Sequence, residues 1–172
     1  DVVGEGIQGL DTKGDFIWDT GYLWFKAADW YKGKKYMLPG YIVEAFRTAR
    51  EAGGKDLQLV YNHFANSSEK GNHTDATFKL YEALKYEGIP IDGVGLEMHL
   101  GLKENGEVFE IGDDNAIWTA ESFSSVLKRY SDAGLNVHIT EFMVDIQKQP
   151  ASKEMLDKQA DVYRKVLEAA VR

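Results

Sequence analysis

Short apolar segments alternate with amphipathic segments along this chain, and this alternation limits the possible folds more than any other feature. Four segments resemble buried strands because they are short and rich in Val, Ile, Leu or Tyr: Val2–Val3, Leu57–Tyr61, Gly93–Leu96 and Val137–Thr140. Strands that alternate with helices form βαβ units around a parallel sheet. The sequence therefore predicts the α/β class.

The segments between these strands have apolar residues three and four positions apart, which is the spacing of one helix face. The first contains Ile42, Phe46 and Ala49, and the last follows Pro150 and a predicted N-cap at Ser152. We therefore expect one helix after each strand.

Composition bounds the class of protein. The chain has 172 residues, of which 44% are apolar and 28% charged, with a net charge of −8 and no cysteine. These values are ordinary for one globular domain and argue against a nucleic-acid surface, a disulfide framework or a thiol nucleophile. No apolar run reaches the roughly 18 to 20 residues of a membrane helix. We predict a single domain over residues 1–172, with neither nucleic acid nor membrane as partner.

The connections that lead from a strand to the next helix are long, whereas those from a helix to the next strand are short. The longest run from Gln8 to Pro39 and from Gly101 to Trp118. Ligands bind parallel α/β folds at the carboxyl ends of the strands, where these long connections lie. We therefore expect the functional site at this edge of the sheet.

The first long connection is rich in aromatic residues. Residues 12–38 contain Phe16, Trp18, Tyr22, Trp24, Phe25, Trp30, Tyr31 and Tyr36. One interpretation is a small apolar core beneath the connection. The other is a platform for the flat, apolar faces of sugar rings, with Trp18 and Trp24 as substrate-binding candidates. Both interpretations can hold at once.

Polar residues follow the apolar part of all four predicted strands. In chain order they are Glu5, Asn62, His63, Glu97, His99 and Glu141. Each alone has an ordinary structural explanation, as a solvated acid or a hydrogen-bonded histidine. Together, at the carboxyl ends of parallel strands, they predict a catalytic mouth.

Two carboxylates that face one cleft from different strands are typical of acid and nucleophile chemistry at an acetal. One carboxyl keeps its proton for the leaving oxygen, and the other stays ionised to attack the anomeric carbon. We expect His99 to orient the ionised carboxylate and Glu97 to raise a neighbour's pKa by like-charge repulsion. This reaction needs no metal or cofactor, and the four histidines have no zinc-site spacing.

Four segments resemble, in order and spacing, strands four to seven of glycoside hydrolase family 10, the retaining endo-1,4-β-xylanases. They read DVVGEGI, LQLVYNHF, GIPIDGVGLEMHLG and AGLNVHITEFMVDI, and YIVEAFRTAREAG resembles the family's fourth helix. The stretches IPIDGVG and ITE are the most diagnostic. The resemblance implies a fold of the (β/α)₈ TIM-barrel type, with about half of the barrel in this chain.

The resemblance also implies a role for each candidate residue. Glu5 would be the acid/base, Glu141 the nucleophile and His99 the hydrogen-bonding partner of that nucleophile, with Asn62 at the rim beside the acid/base. It further implies a xylan-like polysaccharide substrate, no cofactor, and a secreted or extracellular bacterial protein.

The chain departs from the family pattern at several positions. Gly4 stands where the family usually has an Asn that contacts the sugar 2-hydroxyl, and Glu97 stands where it usually has Gln. Met143 replaces a common Asp, and Asn62–His63–Phe64 replaces Asn-Asp-Tyr. A lost 2-hydroxyl contact weakens transition-state binding. The alternative is therefore a catalytically weak or silent relative that binds carbohydrate through its aromatic residues 16–36.

The chain supplies four strand–helix units, whereas a complete (β/α)₈ barrel takes roughly 250 residues. It can be a fragment of a longer enzyme, a half-barrel completed by a second copy or another segment, or an open α/β domain. We expect the fragment, because Asp1 falls within a predicted strand and Arg172 within a predicted helix. A barrel aldolase or isomerase would need a lysine or a phosphate-binding glycine loop at the strand ends, and the sequence has neither there.

Overall fold

The computed structural model describes residues 3–171, except for the side chains of Asp114 and Asn115. In chain order its elements are β1 Val3–Gly4, β2 Ile7–Leu10, β3 Phe16–Trp18, α1 Leu23–Ala27, β4 Trp30–Lys32, β5 Met37–Pro39, α2 Gly40–Gly53, β6 Val60–Phe64, α3 Asn72–Tyr86, β7 Gly93–Leu102, β8 Val108–Glu110, β9 Asp113–Ile117, α4 Ala120–Asp132, β10 Asn136–Ile146 and α5 Lys153–Ala170.

Four parallel strands form the centre of the molecule. β1 pairs with β6, β6 with β7, and β7 with β10, all in parallel. Each of these strands is followed in sequence by one of the long helices α2 to α5. Four adjacent strand–helix units of this kind are part of a (β/α)₈ barrel. The predicted fold class is therefore confirmed.

The central strands continue past the carboxyl ends of their apolar runs. β6 begins at Val60, three residues later than expected, and ends at Phe64. Leu57, the first residue of the predicted strand, lies outside β6 and is 45% exposed. β7 and β10 continue to Leu102 and Ile146. The polar candidates on these three strands thus lie inside the strands, because backbone pairing does not depend on side-chain polarity. Val2, in the first predicted strand, lies outside the described residues.

Strict alternation along β7 separates a core face from a polar face. Val94, Leu96 and Met98 belong to the buried cluster that includes side chains of α4 and α5. The intervening positions Gly95 and Glu97 point the other way, as the two-residue period of a strand requires. A Cβ atom at Gly95 would lie 2.1 Å from Asn62 Oδ1, so only glycine leaves room for that side chain. The segment Gly93–Leu96 is therefore buried as predicted, with an apolar face toward the helices and a polar face on the opposite side of β7.

A second buried cluster joins β6 to α2 and α3. It contains Tyr61 of β6, Phe46 of α2 and Leu80 of α3. The cap predicted for the last helix is present, since the Ser152 hydroxyl accepts a hydrogen bond from Met155 N. Within residues 3–171, no helix combines the length and apolar character needed to cross a membrane.

The long connections are folded rather than irregular. Residues 7–39 form two antiparallel hairpins, β2–β3 and β4–β5, and β8 and β9 form a third after β7. The β2–β3 hairpin packs on α3, where Asn72 Oδ1 accepts from Leu10 N at 2.9 Å. Lys79 of the same helix donates to Gly14 O and lies 4.7 Å from the Phe16 ring centroid.

The tip of the β4–β5 hairpin is attached to the end of α3 by one carboxylate. Glu87 accepts hydrogen bonds from the backbone N–H groups of Lys34, Lys35 and Tyr36 at 2.7 to 2.9 Å. Burial raises the pKa of Glu87, but these donors outweigh it and lower the pKa below its ordinary value. The carboxylate therefore accepts hydrogen bonds from three backbone N–H groups that would otherwise bond to solvent.

We predict that Glu87→Gln lowers the thermal unfolding temperature, because an amide cannot accept all three bonds as strongly. Since the pKa is depressed, the stabilising effect is present above about pH 4.5 and is lost as the pH falls below it. The wild-type and variant unfolding temperatures should therefore converge in acid. Glu82→Gln, an exposed change on the same helix, is the control. A difference in unfolding temperature that stays constant as the pH falls would contradict the stabilising role of the ionised Glu87 carboxylate.

Candidate active site

Glu5 lies between two glycines because the chain turns sharply there. It follows β1 directly and has a φ of 52°, in the left-handed region that non-glycine residues rarely adopt. Its N–H donates to Asn62 O at 3.1 Å, and Gly6 N donates to Tyr61 OH at 3.0 Å. A Cβ at Gly6 would lie 2.6 Å from Tyr41 OH. Hydrogen bonds to Tyr61 and Asn62 of β6 therefore hold this strained turn in place.

The turn decides where the Glu5 side chain points. Val3 and Gly4 align with Tyr61 and Asn62, so simple alternation would return residue 5 to the helix side with Val3. The left-handed φ interrupts that alternation. The Glu5 carboxylate instead accepts a hydrogen bond from Tyr22 OH at 2.9 Å and interacts with Glu97 on the polar face.

Glu141 also lies at an interruption of strand alternation. In the pairing of β10 with β7, Ile139 aligns with Leu96 and Glu141 aligns with Glu97, so Thr140 is an extra residue. Such a bulge shifts the phase of the strand by one residue. Ile139 faces the helix-side core, and without the bulge Glu141 would face the same way. With the bulge, Glu141 joins Glu97 on the polar face.

Thr140 and Asn62 connect the two sides of this face. Thr140 Oγ1 donates to Asn62 Oδ1 at 2.5 Å, and Asn62 Nδ2 donates to Glu97 Oε1. Both atoms of the Asn62 amide are thereby engaged, and Asn62 is 5% exposed. The space that Gly95 leaves open is what admits this amide. The bulge is therefore tied to the neighbouring strands by side-chain hydrogen bonds.

His99 and Glu141 are in contact, as the sequence predicts. His99 Nε2 lies 3.1 Å from Glu141 Oε2, and Glu141 is the more exposed of the two side chains. Ligand atoms of Glu97, His99 and Glu141 all lie within 4.8 Å of one another. A small cation could bridge such a group, but acid and nucleophile chemistry at an acetal does not require one. The absence of a metal stays a prediction.

Glu97 is the most enclosed carboxyl at this site, with 6% exposure. Burial raises its pKa to about 7, with further contributions from the negative charges of Glu5 and Glu141 and from a hydrogen bond with Glu5. The sequence predicted that Glu97 raises the pKa of a neighbour, whereas the raised pKa found here is that of Glu97 itself, with burial as the main cause. Glu97 lies between the two proposed catalytic carboxyls and interacts with both.

His63 does not join this group. Strand alternation puts Asn62 and His63 on opposite faces of β6, and His63 is fully buried against α3. Its Nε2 lies 2.9 Å from His73 Nδ1. Burial, followed by the neighbouring His73, lowers the pKa of His63 to about 3. The expectation that His63 lines the mouth is therefore replaced by a neutral histidine in the core.

The aromatic connection divides into a packed part and an exposed part. Trp18 is half-buried, with its ring centroid 4.7 Å from that of Phe16 and 6.4 Å from that of Trp30. Trp24, in contrast, is 71% exposed. It lies two residues after Tyr22, whose hydroxyl contacts Glu5. Trp18 therefore fits the core interpretation, whereas the exposure of Trp24 fits the platform interpretation.

Sequence reasoning missed two residues of this site, Tyr22 and Thr140. Tyr22 carried only the general signal of an aromatic-rich connection. Thr140 looked like the last residue of a β-forming run, and the sequence marks it only by an apolar period that changes phase after Ile139. Both roles depend on contacts between residues far apart in the chain.

We predict that Glu97→Gln changes how stability depends on pH. A carboxyl whose pKa rises on folding stabilises the fold below its unfolded pKa, and that contribution is lost as the pH rises to the folded value. The wild-type free energy of unfolding should therefore fall, relative to the variant, between about pH 4.5 and about pH 7. Urea unfolding across this range measures the difference.

An exposed substitution on α2, Glu44→Gln, serves as the control for that measurement. The free energy of unfolding of the Glu44→Gln variant should change with pH in the same way as that of the wild type over this range. Parallel curves for wild type and Glu97→Gln would contradict the enclosed position of Glu97 between two carboxylates.

Comparison with known families gives one match over nearly the whole chain. The sequence model described as Glycosyl hydrolase family 10 matches residues 3–172. Endo-1,4-beta-xylanase B of Thermotoga neapolitana is 30% identical over 158 residues, which are 92% of this chain and 40% of that protein. Endo-1,4-beta-xylanase A of Caldicellulosiruptor saccharolyticus is 28% identical over 168 residues, which are 93% of this chain and 44% of that protein.

Solved structures give the same result. Native xylanase 10B from Thermotoga maritima has a TM-score of 0.70 and 28% identity, and the match covers 98% of this chain and 43% of that one. Xylanase 10B from Thermotoga petrophila RKU-1, in complex with xylobiose, has a TM-score of 0.70 and 26% identity, with coverage of 98% and 42%. The chain thus spans about two fifths of the length of these relatives.

Proposed function

Because the chain belongs to glycosyl hydrolase family 10, as its strand segments predict, we propose that it hydrolyses β-1,4-linked xylan. The observation that carries this proposal is the convergence of Glu5, Glu97 and Glu141 on the polar face of the sheet. The xylanase that was solved with xylobiose adds support for the substrate class.

The proposed reaction proceeds by double displacement with retention. The Glu141 carboxylate attacks the anomeric carbon, and the bond from that carbon to the glycosidic oxygen breaks. Glu5 gives its proton to the departing oxygen. A water molecule then attacks the glycosyl ester, Glu5 takes a proton from this water, and Glu141 is released as a carboxylate.

The surrounding residues support these two roles. His99 at 3.1 Å holds one Glu141 oxygen, which leaves the other free to attack. Tyr22 holds one oxygen of Glu5 at 2.9 Å. Glu97, whose pKa is raised to about 7, is largely neutral in mild acid and then adds little charge between the two catalytic carboxyls. An oxocarbenium-like transition state is stabilised by the Glu141 charge that remains.

We predict that Glu141→Gln abolishes turnover of xylan, because an amide cannot form the glycosyl ester. The effect of Glu5→Gln should depend on the leaving group. This substitution should slow the hydrolysis of xylan about 10²- to 10⁴-fold. It should slow the hydrolysis of an aryl xylobioside with an acidic phenol far less, because that phenol leaves without a proton. Steady-state assays on both substrates measure the contrast.

Circular dichroism and xylo-oligosaccharide binding should be unchanged in both variants, which separates catalysis from folding. Full activity in Glu141→Gln, or an equal loss on both substrates in Glu5→Gln, would contradict the assigned roles.

The second candidate function is a carbohydrate-binding relative without appreciable turnover. Trp24 favours it, since this large aromatic side chain is 71% exposed and follows Tyr22, which contacts Glu5, by two residues. Gly4 favours it as well, because glycine offers no side chain to contact a sugar hydroxyl. A reducing-sugar assay beside a pull-down on xylan, mixed-linkage glucan and cellulose distinguishes the two functions.

We predict that Gly4→Asn increases xylan hydrolysis if the protein is catalytic. A Cβ at Gly4 would lie 3.4 Å from Asn62 O, an ordinary contact, so the backbone accommodates the first atom of a side chain there. A gained hydrogen bond to the substrate should raise kcat/KM about tenfold. Gly4→Ala, which adds the Cβ without an amide, is the control, and equal effects of the two variants would contradict a lost contact.

A further inference from the structure

A groove far from the proposed catalytic residues lies between α3 and α4. Its volume is about 940 Å³, and the tip of the β4–β5 hairpin forms its third wall. Since α3 runs antiparallel to the strands, its last residues Lys85 and Tyr86 lie at the edge of the sheet opposite the mouth. The walls belong to neighbouring units in the middle of the chain, so the groove is distinct from the exposed edges of β1 and β10.

Two tyrosines form an aromatic corner at one end of this groove. Tyr86 is 56% exposed, and its ring lies edge-to-face with that of Tyr36, at 5.8 Å between centroids. The Lys35 ammonium lies 4.9 Å from the Tyr36 ring centroid and 5.5 Å from that of Tyr86. An exposed ring that is fixed in place by a second ring and a cation is suited to stacking on a flat ligand face.

The charged residues that line the groove are four cations, Lys35, Lys85, Lys128 and Arg129, and two acids, Glu82 and Asp132, in a chain with a net charge of −8. Lys128 pairs with Asp132 at 2.6 Å and Arg129 pairs with Asp75 at 2.6 Å, so Lys35 and Lys85 are the cations that a ligand can use. The Lys85 ammonium donates to two uncharged oxygens, Tyr81 OH at 3.0 Å and Ala133 O at 3.3 Å. Its charge is therefore available to an anionic group that enters the groove.

We propose that this groove binds a polysaccharide strand that carries carboxylates, such as xylan substituted with uronic acid. The apolar face of a pyranose stacks on Tyr86, and the uronic carboxylate pairs with Lys35 or Lys85. A nucleic acid fits less well, because its dense negative charge is repelled by the overall charge of the protein. The site rests on the proposed function in one respect, that the polymer belongs to the substrate's class, and it would raise the local concentration of that polymer around the enzyme.

Binding to Glu141→Gln protein, in which turnover is blocked, tests this site. The probes are xylotetraose with one glucuronic acid substituent and plain xylotetraose, followed by amide chemical shifts and calorimetry. We expect the acidic probe to shift the amides of Lys35, Tyr86 and Ser125, and Tyr86→Ala or Lys35→Met to weaken this binding at least about fivefold. Added salt should weaken it as well.

Lys55→Met, at an exposed lysine beyond α2, is the matched control and should leave the affinity unchanged. No shifts in the groove, equal binding of both probes there, or equal competition by polyglutamate would overturn the proposal. The two proposals fail separately. If the wild type hydrolyses xylan but no probe binds in the groove, only the groove proposal is contradicted. If the acidic probe binds in the groove but the wild type does not hydrolyse xylan, only the proposed hydrolase function is contradicted.

Discussion

The site depends on two interruptions of strand alternation. In a regular strand, side chains face opposite sides in turn, so the residue that follows a core-facing position by two also faces the core. Glu5 escapes this rule through a left-handed φ of 52°, and Glu141 escapes it through the bulge at Thr140. Without either interruption the carboxylate would point at the helix layer. Strain and bulges concentrate at functional sites because the surrounding structure can hold them.

Small residues and hydrogen bonds stabilise these interruptions. Gly6 and Gly95 allow close approach of Tyr41 and of the Asn62 amide, where any Cβ would collide. Asn62 then joins Thr140 to Glu97, and so connects the bulge of β10 to the centre of the sheet. The enclosed Glu97 has its pKa raised to about 7 by burial and by its acidic neighbours. The same packing that places the proposed catalytic pair, Glu5 and Glu141, therefore encloses the carboxyl that lies between them.

The sequence predicted the four central strands with the helix after each, the fold class and most of the polar residues that meet, because hydrophobic periods and strand-end polarity are local signals. It did not predict the hairpins in the two long connections. It did not predict where the strands end, since β7 continues through Glu97 and His99 by backbone pairing alone. The position of His63 was predicted wrongly because the sequence pattern does not show which residues of β6 face the helices and which face the polar side. Tyr22 and Thr140 were missed for a related reason, since both act through partners distant in the chain.

In the proposed reaction Glu141, which the bulge brings to the polar face, forms a covalent bond to the sugar. Trapping that bond tests the proposed role of Glu141 directly. In a 2-deoxy-2-fluoro-xylobioside with an activated leaving group, the fluorine slows both the formation and the hydrolysis of the glycosyl ester. The activated leaving group speeds only the formation, so the glycosyl ester accumulates. Mass spectrometry of peptides should then find the sugar on Glu141. A sugar on Glu5 or Glu97, or a product of inverted configuration without any adduct, would contradict the account.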